Sequence, residues 1–205
     1  MNRPPGRRIV IASSNAGKLR EFAALPALAA YTLLPQRELG IDDAEETAAT
    51  FAGNALLKAR HAADASGLIA IADDSGLCVD ALQGRPGVYS ARYGGAGLDD
   101  AGRNRRLLEE LAGVPTRARA AHYHCAIACA APGGVPPLVC EASWQGHLLE
   151  TPRGTGGFGY DPLFVPAGDR RTAAELPLEE KNRQSHRALA LMQLAARLPA
   201  WLATQ

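Results

Sequence analysis

The sequence lacks both an excess of charge of one sign and a long apolar run. Its 22 basic and 21 acidic side chains leave a formal net charge of +1 over 205 residues. This balance removes the bulk electrostatic attraction by which basic proteins coat nucleic acid or anionic membranes. No apolar run approaches the roughly 20 residues that span a bilayer. We therefore expect neither a nucleic-acid polymer nor a membrane among the partners of this chain.

An export signal is not indicated either. Two arginines precede the apolar stretch Ile9–Ala12, which is far shorter than the roughly 7–15 apolar residues of a signal peptide. We expect residues 1–7 to form a flexible basic tail. Residues 8–205 contain no repeat or low-complexity linker, and 47% of the sequence is hydrophobic, so they are predicted to fold as a single domain.

Cysteine is scarce, and its spacing favours buried, reduced thiols. The sequence has 4 cysteines and no C-x-x-C motif, as expected of a cytoplasmic protein. Around Cys125, the side chains of His122 and His124 are predicted to lie on the opposite face of a strand. We therefore favour core packing and cross-strand pairing over a metal site here.

Strands and helices alternate in the first half of the sequence. A strand is predicted at Ile9–Ser13, followed by a helix from Lys18. The clearest helix covers Thr47–Ser66 and ends at Gly67, and the short strand Leu68–Ala72 is expected to end in a turn. Later elements are a helix capped by Asp99 or Asp100, a hairpin of 120–130 and 138–149, a strand at 163–165, and helices over 178–202 with a break near Ser185. This order predicts a mixed-sheet α/β fold.

The first polar motif, Ser13–Lys18, lies between a strand and a helix. Backbone N–H groups point outward at such a turn, and the helix dipole and Lys18 both favour an anion there. It is not a Walker A loop, because Leu19 follows Lys18 where Ser or Thr is required. Phosphate binding and an ordinary capped turn both remain open from these residues alone.

A second motif is the acidic pair Asp73 and Asp74. Neighbouring strand residues point to opposite faces, so we expect only one of these carboxylates to enter a site directly. Simple turn formation is the alternative. Glu46 supplies a further carboxylate, and Asn54 and Lys58 share one helix face, for which a solvated surface is the alternative.

The third motif is a glycine-rich loop. Gly154, Gly156 and Gly159 match G-x-G-x-x-G, but no helix begins after Gly159, so a dinucleotide site is disfavoured. Phe158 and Tyr160 instead suggest an exposed aromatic platform for a planar ligand, with Asp161 available for hydrogen bonding. Farther on, Lys181 and the run Ser185–Arg187 are either surface charge or a grip on phosphate or base edges.

Six motifs follow one another along the chain. They are Ser13-x-Asn15-x-x-Lys18, Glu45-Glu46-Thr47 with Phe51, Asn54 and Lys58, Ala72–Leu77, Gly84-x-Pro86-Gly87-x-Tyr89-Ser90-Ala91-Arg92, Gly156–Pro162, and Lys181 with Ser185–Arg187. In this order they resemble the inosine triphosphate pyrophosphatase family, and the likeness runs from about Arg8 to Leu198. Ser14 departs from the Gly common in the first loop, and the N-terminal arginines are extra.

The resemblance implies an activity and a fold. The activity is Mg²⁺-dependent hydrolysis of noncanonical purine nucleoside triphosphates, such as ITP, dITP and XTP, to the monophosphate and pyrophosphate. The fold would be elongated and two-lobed, with the active-site cleft between the lobes, and the enzyme would be a homodimer. Rival hypotheses are a Maf-type pyrophosphatase for pyrimidine triphosphates, a nucleotide-binding regulator without turnover, and a dinucleotide-dependent oxidoreductase.

The resemblance also assigns roles to individual residues. Asp74 would accept a proton and bind the metal together with Glu46, and Asp73 and Lys58 would support the site. The triphosphate would be held by Ser13, Ser14, Asn15, Ala16, Gly17 and Lys18. Ser75 would touch the substrate, while Phe158, Gly159, Tyr160, Asp161, Lys181, His186 and Arg187 would form the base and sugar pocket.

Overall fold

The computed structural model describes residues 8–13, 16–23, 25–95 and 97–204. Within these ranges the chain forms a six-stranded sheet and five α-helices. The predicted tail over residues 1–7 lies outside the described residues. The elements are β1 (Arg8–Ile11), α1 (Ala16–Ala23), β2 (Thr32–Pro35), α2 (Phe51–Ser66), β3 (Ile69–Val79), α3 (Asp100–Glu110), β4 (Ala120–Ala130), β5 (Leu138–Leu148), β6 (Phe164–Pro166), α4 (Leu178–Gln184) and α5 (His186–Leu202).

The sheet has the strand order β2-β1-β3-β4-β5-β6 and is mixed. Strand β1 runs parallel to both β2 and β3, with Ile9 opposite Leu33 and Ile69. Helices α1 and α2 form the connections that parallel strands need. Strands β5 and β6 are antiparallel, with Leu148 opposite Phe164. The predicted mixed-sheet α/β class is confirmed.

The chain divides into two compact units, and each has its own buried core. The first unit comprises Met1–Asp74, Ala126–Glu141 and Ala190–Gln205, and the second comprises Ser75–Cys125 and Ala142–Leu189. In the first unit α2 buries small side chains, which let its backbone lie close to the sheet. Fully buried residues there include Ile9, Val10, Ile11, Ala55, Ala59, Ala62 and Ala63.

The core of the second unit is richer in large and aromatic side chains. The Tyr123 ring meets the Phe164 ring edge-on at a centroid distance of 4.8 Å, an arrangement that aromatic pairs favour. Other members of this core are Leu77, Val79, Leu82, Leu107, Leu111, Trp144, Leu148, Tyr160 and Leu163.

Strand β3 is 11 residues long and continues through Asp73–Gly76. The predicted end of this strand at Ala72 was therefore wrong. Beyond the acidic pair, the Leu77 N–H donates to Ser90 Oγ at 2.9 Å. At Gly76 the backbone runs so close to Ser90 that a Cβ would lie 2.4 Å from its Oγ. The glycine serves close packing here, and the buried residues after it keep the segment extended.

Helix α2 begins later than predicted and ends where predicted. Thr50 is the N-cap, and its hydroxyl accepts from the Gly53 N–H at 3.0 Å. The Ala48 N–H is bound instead by the Asn54 side chain at 2.9 Å, so the predicted start at Thr47 was wrong. At the other end Gly67 adopts the left-handed conformation with φ 67°, which glycine favours.

Several later elements match their predictions. Asp99 caps α3 by accepting from the Gly102 N–H at 2.7 Å, and β4 and β5 form the two arms of the hairpin. Ser185 is extended and separates α4 from α5. Over the described ranges, no helix has both the length and the apolar character needed to cross a membrane.

Charged side chains fix the C-terminal end of α3. The buried Arg119 donates to the carbonyls of Leu111, Val114 and Leu149 at 2.8–3.2 Å, which places a cation where the helix dipole favours it. Glu110 accepts from Tyr93 Oη and from Arg85 Nη1, each at 2.8 Å. Its other oxygen lies 3.0 Å from Arg106.

These contacts determine how Glu110 titrates. Partial burial raises the pKa of its carboxyl, but the Tyr93 hydrogen bond and the charges of Arg106 and Arg85 outweigh burial and lower the pKa below 4.5. Such a group contributes stability that is complete above its ordinary pKa. That contribution is lost as the pH falls through the lowered value.

We expect Glu110→Gln to lower the free energy of unfolding by about 1 kcal/mol at neutral pH, because it weakens these charge-assisted bonds. The difference from wild type should shrink progressively below the ordinary carboxyl pKa of 4.5. Urea unfolding over a pH series measures this. Glu109→Gln is the control, since Glu109 is exposed and 3.6 Å from Arg106. A loss that is the same at every pH would contradict the assignment.

Candidate active site

Asp73 and Asp74 lie side by side in β3, and both are buried. Because successive strand residues point to opposite faces, the two carboxylates meet different partners. A buried carboxylate without a partner is strongly unfavourable, and in this unit each of the two is matched by a lysine. The two pairs link the acidic motif to two other motifs of the sequence.

The partner of Asp73 is Lys18. The Lys18 Nζ lies 2.9 Å from Asp73 Oδ2, and the Asp73 side chain is fully buried. Lys18 belongs to the first turn of α1, immediately after the loop that follows β1. The first motif is therefore tied to the acidic pair by a charge–charge contact.

The described part of the first loop has the expected position between a strand and a helix. Ser13 is half-buried, and its N–H donates to the Ile11 carbonyl at 2.9 Å. Helix α1 begins at Ala16 and includes Gly17. Ser14 and Asn15 lie outside the described residues, so phosphate binding by this loop stays a prediction.

Asp74 contacts two side chains of α2 that are one turn apart. Its Oδ1 lies 3.3 Å from Lys58 Nζ, and its Oδ2 accepts from Asn54 Nδ2 at 3.2 Å. Lys58 Nζ also lies 2.8 Å from Glu46 Oε1. Asn54 is fully buried, so the face of α2 that carries Asn54 and Lys58 is not a solvated surface. The structure brings together Asp74, Lys58 and Glu46 as a cluster.

Burial and charge shift both titrating groups at the centre of this cluster. Burial raises the pKa of Asp74, the Lys58 charge opposes it, and the Glu46 charge adds to it, with a net rise. Burial lowers the pKa of Lys58, but the charge of Asp74 and the contact with Glu46 more than compensate and raise it. Lys58 therefore stays a cation, and Asp74 is a better proton acceptor than an exposed carboxylate.

The two carboxylates of the cluster suit a hard divalent cation. Asp74 and Glu46 converge on the single ammonium group of Lys58, so both offer oxygens to one region. Across the described part of the chain, no group of three or more His, Cys, Asp or Glu could hold a metal. Mg²⁺ needs no such cage, because it commonly takes one or two carboxylates and completes its shell with substrate phosphate and water.

The second unit holds the glycine-rich loop, where only one of the two predicted platform aromatics is exposed. Phe158 is 57% exposed, whereas Tyr160 is 3% exposed. Tyr160 Oη donates to the Ser90 carbonyl at 2.9 Å. The expected exposed platform is therefore Phe158 alone, and the buried Tyr160 fixes the loop through its hydrogen bond to Ser90.

Asp161 organises this loop from inside. Its Oδ2 accepts from the Phe158 N–H at 2.9 Å and from Lys181 Nζ at 2.5 Å, and its Oδ1 accepts from Tyr123 Oη at 3.4 Å. A Cβ at Gly157 would lie 2.0 Å from the same carboxylate. The glycine is thus required for the close approach of Asp161.

Two cations flank the exposed Phe158 ring. Lys181 Nζ lies 4.9 Å and the Arg187 guanidinium 5.9 Å from the ring centroid, within the range of cation–π attraction. Arg187 is buried and also donates to Ser75 Oγ at 3.1 Å. The predicted residues Ser75, Phe158, Lys181 and Arg187 are thus brought together.

His186 is held by Tyr123, for which the sequence predicted no such role. Its ring stacks on Tyr123 with a centroid distance of 4.7 Å and an interplanar angle of 8°. The alternation His122, Tyr123, His124 could have indicated that Tyr123 points inward. His124 pairs across the strands with Ser143 at 2.9 Å, as expected.

Comparison with known proteins places this chain. A family model described as the Ham1 family matches residues 9–197. The chain belongs to the Ham1 family. It is 54% identical over 196 residues to a dITP/XTP pyrophosphatase of Ralstonia nicotianae, with 94% of this chain and 96% of the relative covered. A Shigella flexneri protein of the same name is 51% identical over 186 residues, covering 90% and 94%.

Solved structures of the Ham1 family have the same fold. A HAM1 protein from Coxiella burnetii superposes with a TM-score of 0.90 at 45% identity, covering 95% of this chain and 99% of that protein. The resemblance to the inosine triphosphate pyrophosphatases is confirmed by these matches over nearly the full length.

Within this Ham1 fold we expect Lys18→Met to destabilise the ligand-free protein by about 3 kcal/mol, because it leaves a buried carboxylate without its ion pair. Adding Asp73→Asn should restore much of the loss. Thermal and urea unfolding measure both variants. Arg37→Met is the control, since the exposed Arg37 lies 3.8 Å from Asp43. Wild-type stability of Lys18→Met would show that the pair is unimportant.

Proposed function

We propose that this chain hydrolyses noncanonical purine nucleoside triphosphates, namely ITP, dITP and XTP, to the monophosphate and pyrophosphate. It is then a nucleoside triphosphate pyrophosphatase that removes these compounds from the nucleotide pool. The observation that carries the proposal is the cluster in which Asp74 and Glu46 converge on Lys58. The names of its Ham1 relatives support the substrate class.

The triphosphate is assigned to the motif Ser13–Lys18 and to Lys58 of α2. In this proposal Ser13, Ser14, Asn15, Ala16 and Gly17 hold the triphosphate around the start of α1, where the helix dipole favours an anion, and Lys18 adds a charge. Lys18 can hold the substrate as well as Asp73, because a lysine ammonium has three donors. Lys58 adds a second charge, and such preorganised cations stabilise the charge that develops on phosphoryl oxygens.

Mg²⁺ is assigned to Asp74 and Glu46, whose carboxylate oxygens are ligands of the kind it prefers. When bound, it polarises phosphoryl oxygens and lowers the pKa of water. The Lys58 ammonium group holds both carboxylates close to one position before the metal binds. Asp73 supports the arrangement from the opposite face through Lys18.

Asp74 is assigned as the proton acceptor. The oxygen of a water molecule bonds to the α-phosphorus, and the water proton passes to the Asp74 carboxylate. The bond from the α-phosphorus to the bridging oxygen breaks, and its electron pair leaves with pyrophosphate. Asn54 and Lys58 fix the orientation of Asp74, and no covalent enzyme intermediate is needed.

The purine base is assigned to Phe158 and its neighbours. The exposed ring can stack on any purine and so contributes affinity more than choice. Lys181 and Arg187 carry only donors, which suit the 6-oxo group of inosine and xanthine. A 6-amino group would leave donors facing a donor, at a cost of roughly 1–3 kcal/mol for each mismatch. The remaining pocket residues are Ser75, Gly159, Tyr160, Asp161 and His186.

The wider setting is part of the proposal. We place the enzyme in the cytoplasm as a homodimer, acting on free nucleotides rather than on a nucleic-acid polymer. The four cysteines are free thiols, and Cys125, Cys129 and Cys140 are buried. Burial raises the pKa of the Cys78 and Cys140 thiols, which keeps them protonated and unreactive.

We expect Asp74→Asn to lower kcat on ITP by about 10²- to 10⁴-fold, the usual contribution of a positioned general base. The fold should persist, because Glu46 still pairs with Lys58 in the variant. Steady-state pyrophosphate release and circular dichroism test both points. The matched control is Asp80→Asn, an exposed carboxylate just beyond the same strand. Wild-type turnover by folded Asp74→Asn would exclude Asp74 as the base.

A further inference from the structure

The backbone of Gly159 is hydrogen-bonded to two side chains on one face of α3. Asp100 Oδ2 accepts from the Gly159 N–H at 2.6 Å. Asn104 Nδ2 donates to the Gly159 carbonyl at 2.9 Å. Both partners come from a segment 55–59 residues earlier in the sequence, and they lie four residues apart on one helix face.

These two hydrogen bonds satisfy the N–H and the carbonyl of Gly159, for which the loop itself offers no regular partner. Gly159 has φ +61°, a left-handed conformation in which its N–H and carbonyl fit no regular ladder. Asn104 is buried. Without a hydrogen-bond partner, the Gly159 carbonyl beside it would destabilise the folded state, and the side-chain amide of Asn104 supplies that partner.

Holding both groups of Gly159 fixes the peptide planes on either side of it. The preceding plane includes the carbonyl of Phe158, whose own N–H is held by Asp161. With the backbone of Phe158 fixed on both sides, its Cα–Cβ bond has a defined direction. The ring is therefore aimed between Lys181 and Arg187 without being packed into a core.

Helix α3 is itself rigidly placed, as such a role requires. Asp99 caps its start, which leaves Asp100 available for Gly159. Arg119 and the Glu110 contacts fix its end. Arg103 forms an ion pair with Asp100 and helps to keep that carboxylate charged, which strengthens an N–H···O⁻ bond.

We propose that Asp100 and Asn104 are positioning residues that hold the Gly159 backbone and thereby aim the Phe158 ring at the base of the substrate. The part concerning the base rests on the proposed function. The part concerning the backbone does not. Both residues act on the loop that carries Phe158, so their contribution is to nucleoside binding rather than to the hydrolytic step.

The test compares Asn104→Leu and Asp100→Ala with Asp99→Ala. The control variant removes the helix cap and therefore lowers stability, but it leaves both bonds to Gly159. Asp100 lies at the helix surface, with 45% of its side chain exposed, so Asp100→Ala keeps the test informative if Asn104→Leu does not fold.

Three readouts separate positioning from mere stability. Hydrogen exchange of the Gly159 amide should accelerate about tenfold or more in Asp100→Ala and stay unchanged in Asp99→Ala, since one hydrogen bond is lost only in the former. The KM for ITP should rise about tenfold in Asn104→Leu, with kcat changed less than threefold. Inhibition by inorganic tripolyphosphate, which lacks a base, should be unaffected.

Contrary results are equally clear. Equal KM values for Asn104→Leu and Asp99→Ala, or equal exchange of the Gly159 amide in Asp100→Ala and wild type, would overturn the positioning role. If inhibition of Asn104→Leu by tripolyphosphate weakened as much as its KM for ITP rose, the effect would lie on the phosphates and the role in placing the base would be excluded. If the wild-type chain does not hydrolyse ITP, the proposed function fails, and the exchange comparison still decides whether Asp100 holds Gly159.

Discussion

Two adjacent carboxylates in the middle of a buried strand impose the constraint on which the rest of the first unit depends. Each needs a cation, and strand geometry sends the two side chains to opposite faces. Lys18 satisfies Asp73 from α1, and Lys58 satisfies Asp74 from α2. Both helices are thereby fixed against β3 by charge as well as by apolar packing. The same charges are those that triphosphate chemistry requires.

The second unit solves a different problem, which is to expose one aromatic ring in a defined direction. Asp161 holds the loop from inside, Tyr160 anchors it on Ser90, and α3 grips Gly159 from the side. The polar side chains of Tyr160 and Asp161 are used to hold the loop in place. Rigidity of this kind lowers the entropic cost of ordering a binding loop when a ligand arrives.

Local patterns predicted some features well. Asp99 as a cap, Gly67 as a helix end and the break at Ser185 depend on near neighbours along the chain. The Asp-Asp-Ser-Gly run led to the wrong prediction that β3 ends at Ala72. Its turn propensity is local, whereas the pairing of its two carboxylates with Lys18 and Lys58 is tertiary. The exposure of Phe158 and burial of Tyr160 likewise follow from contacts with Ser90 and Lys181 that no spacing reveals. The roles of Asp100 and Asn104 were missed because polar residues at this spacing usually mark a solvated helix face.

The most direct test of the account is catalytic efficiency with pyrophosphate detection on ITP, XTP, ATP, dTTP and UTP in the presence of Mg²⁺. We expect pyrophosphate release from ITP and XTP, with efficiencies about 100-fold above that on ATP, as one to two buried donor mismatches would produce. Pyrimidine triphosphates should be poorer still, since their smaller bases cover less of the Phe158 ring. Comparable efficiency on ATP and ITP, preference for dTTP or UTP, or release of orthophosphate instead of pyrophosphate would contradict it.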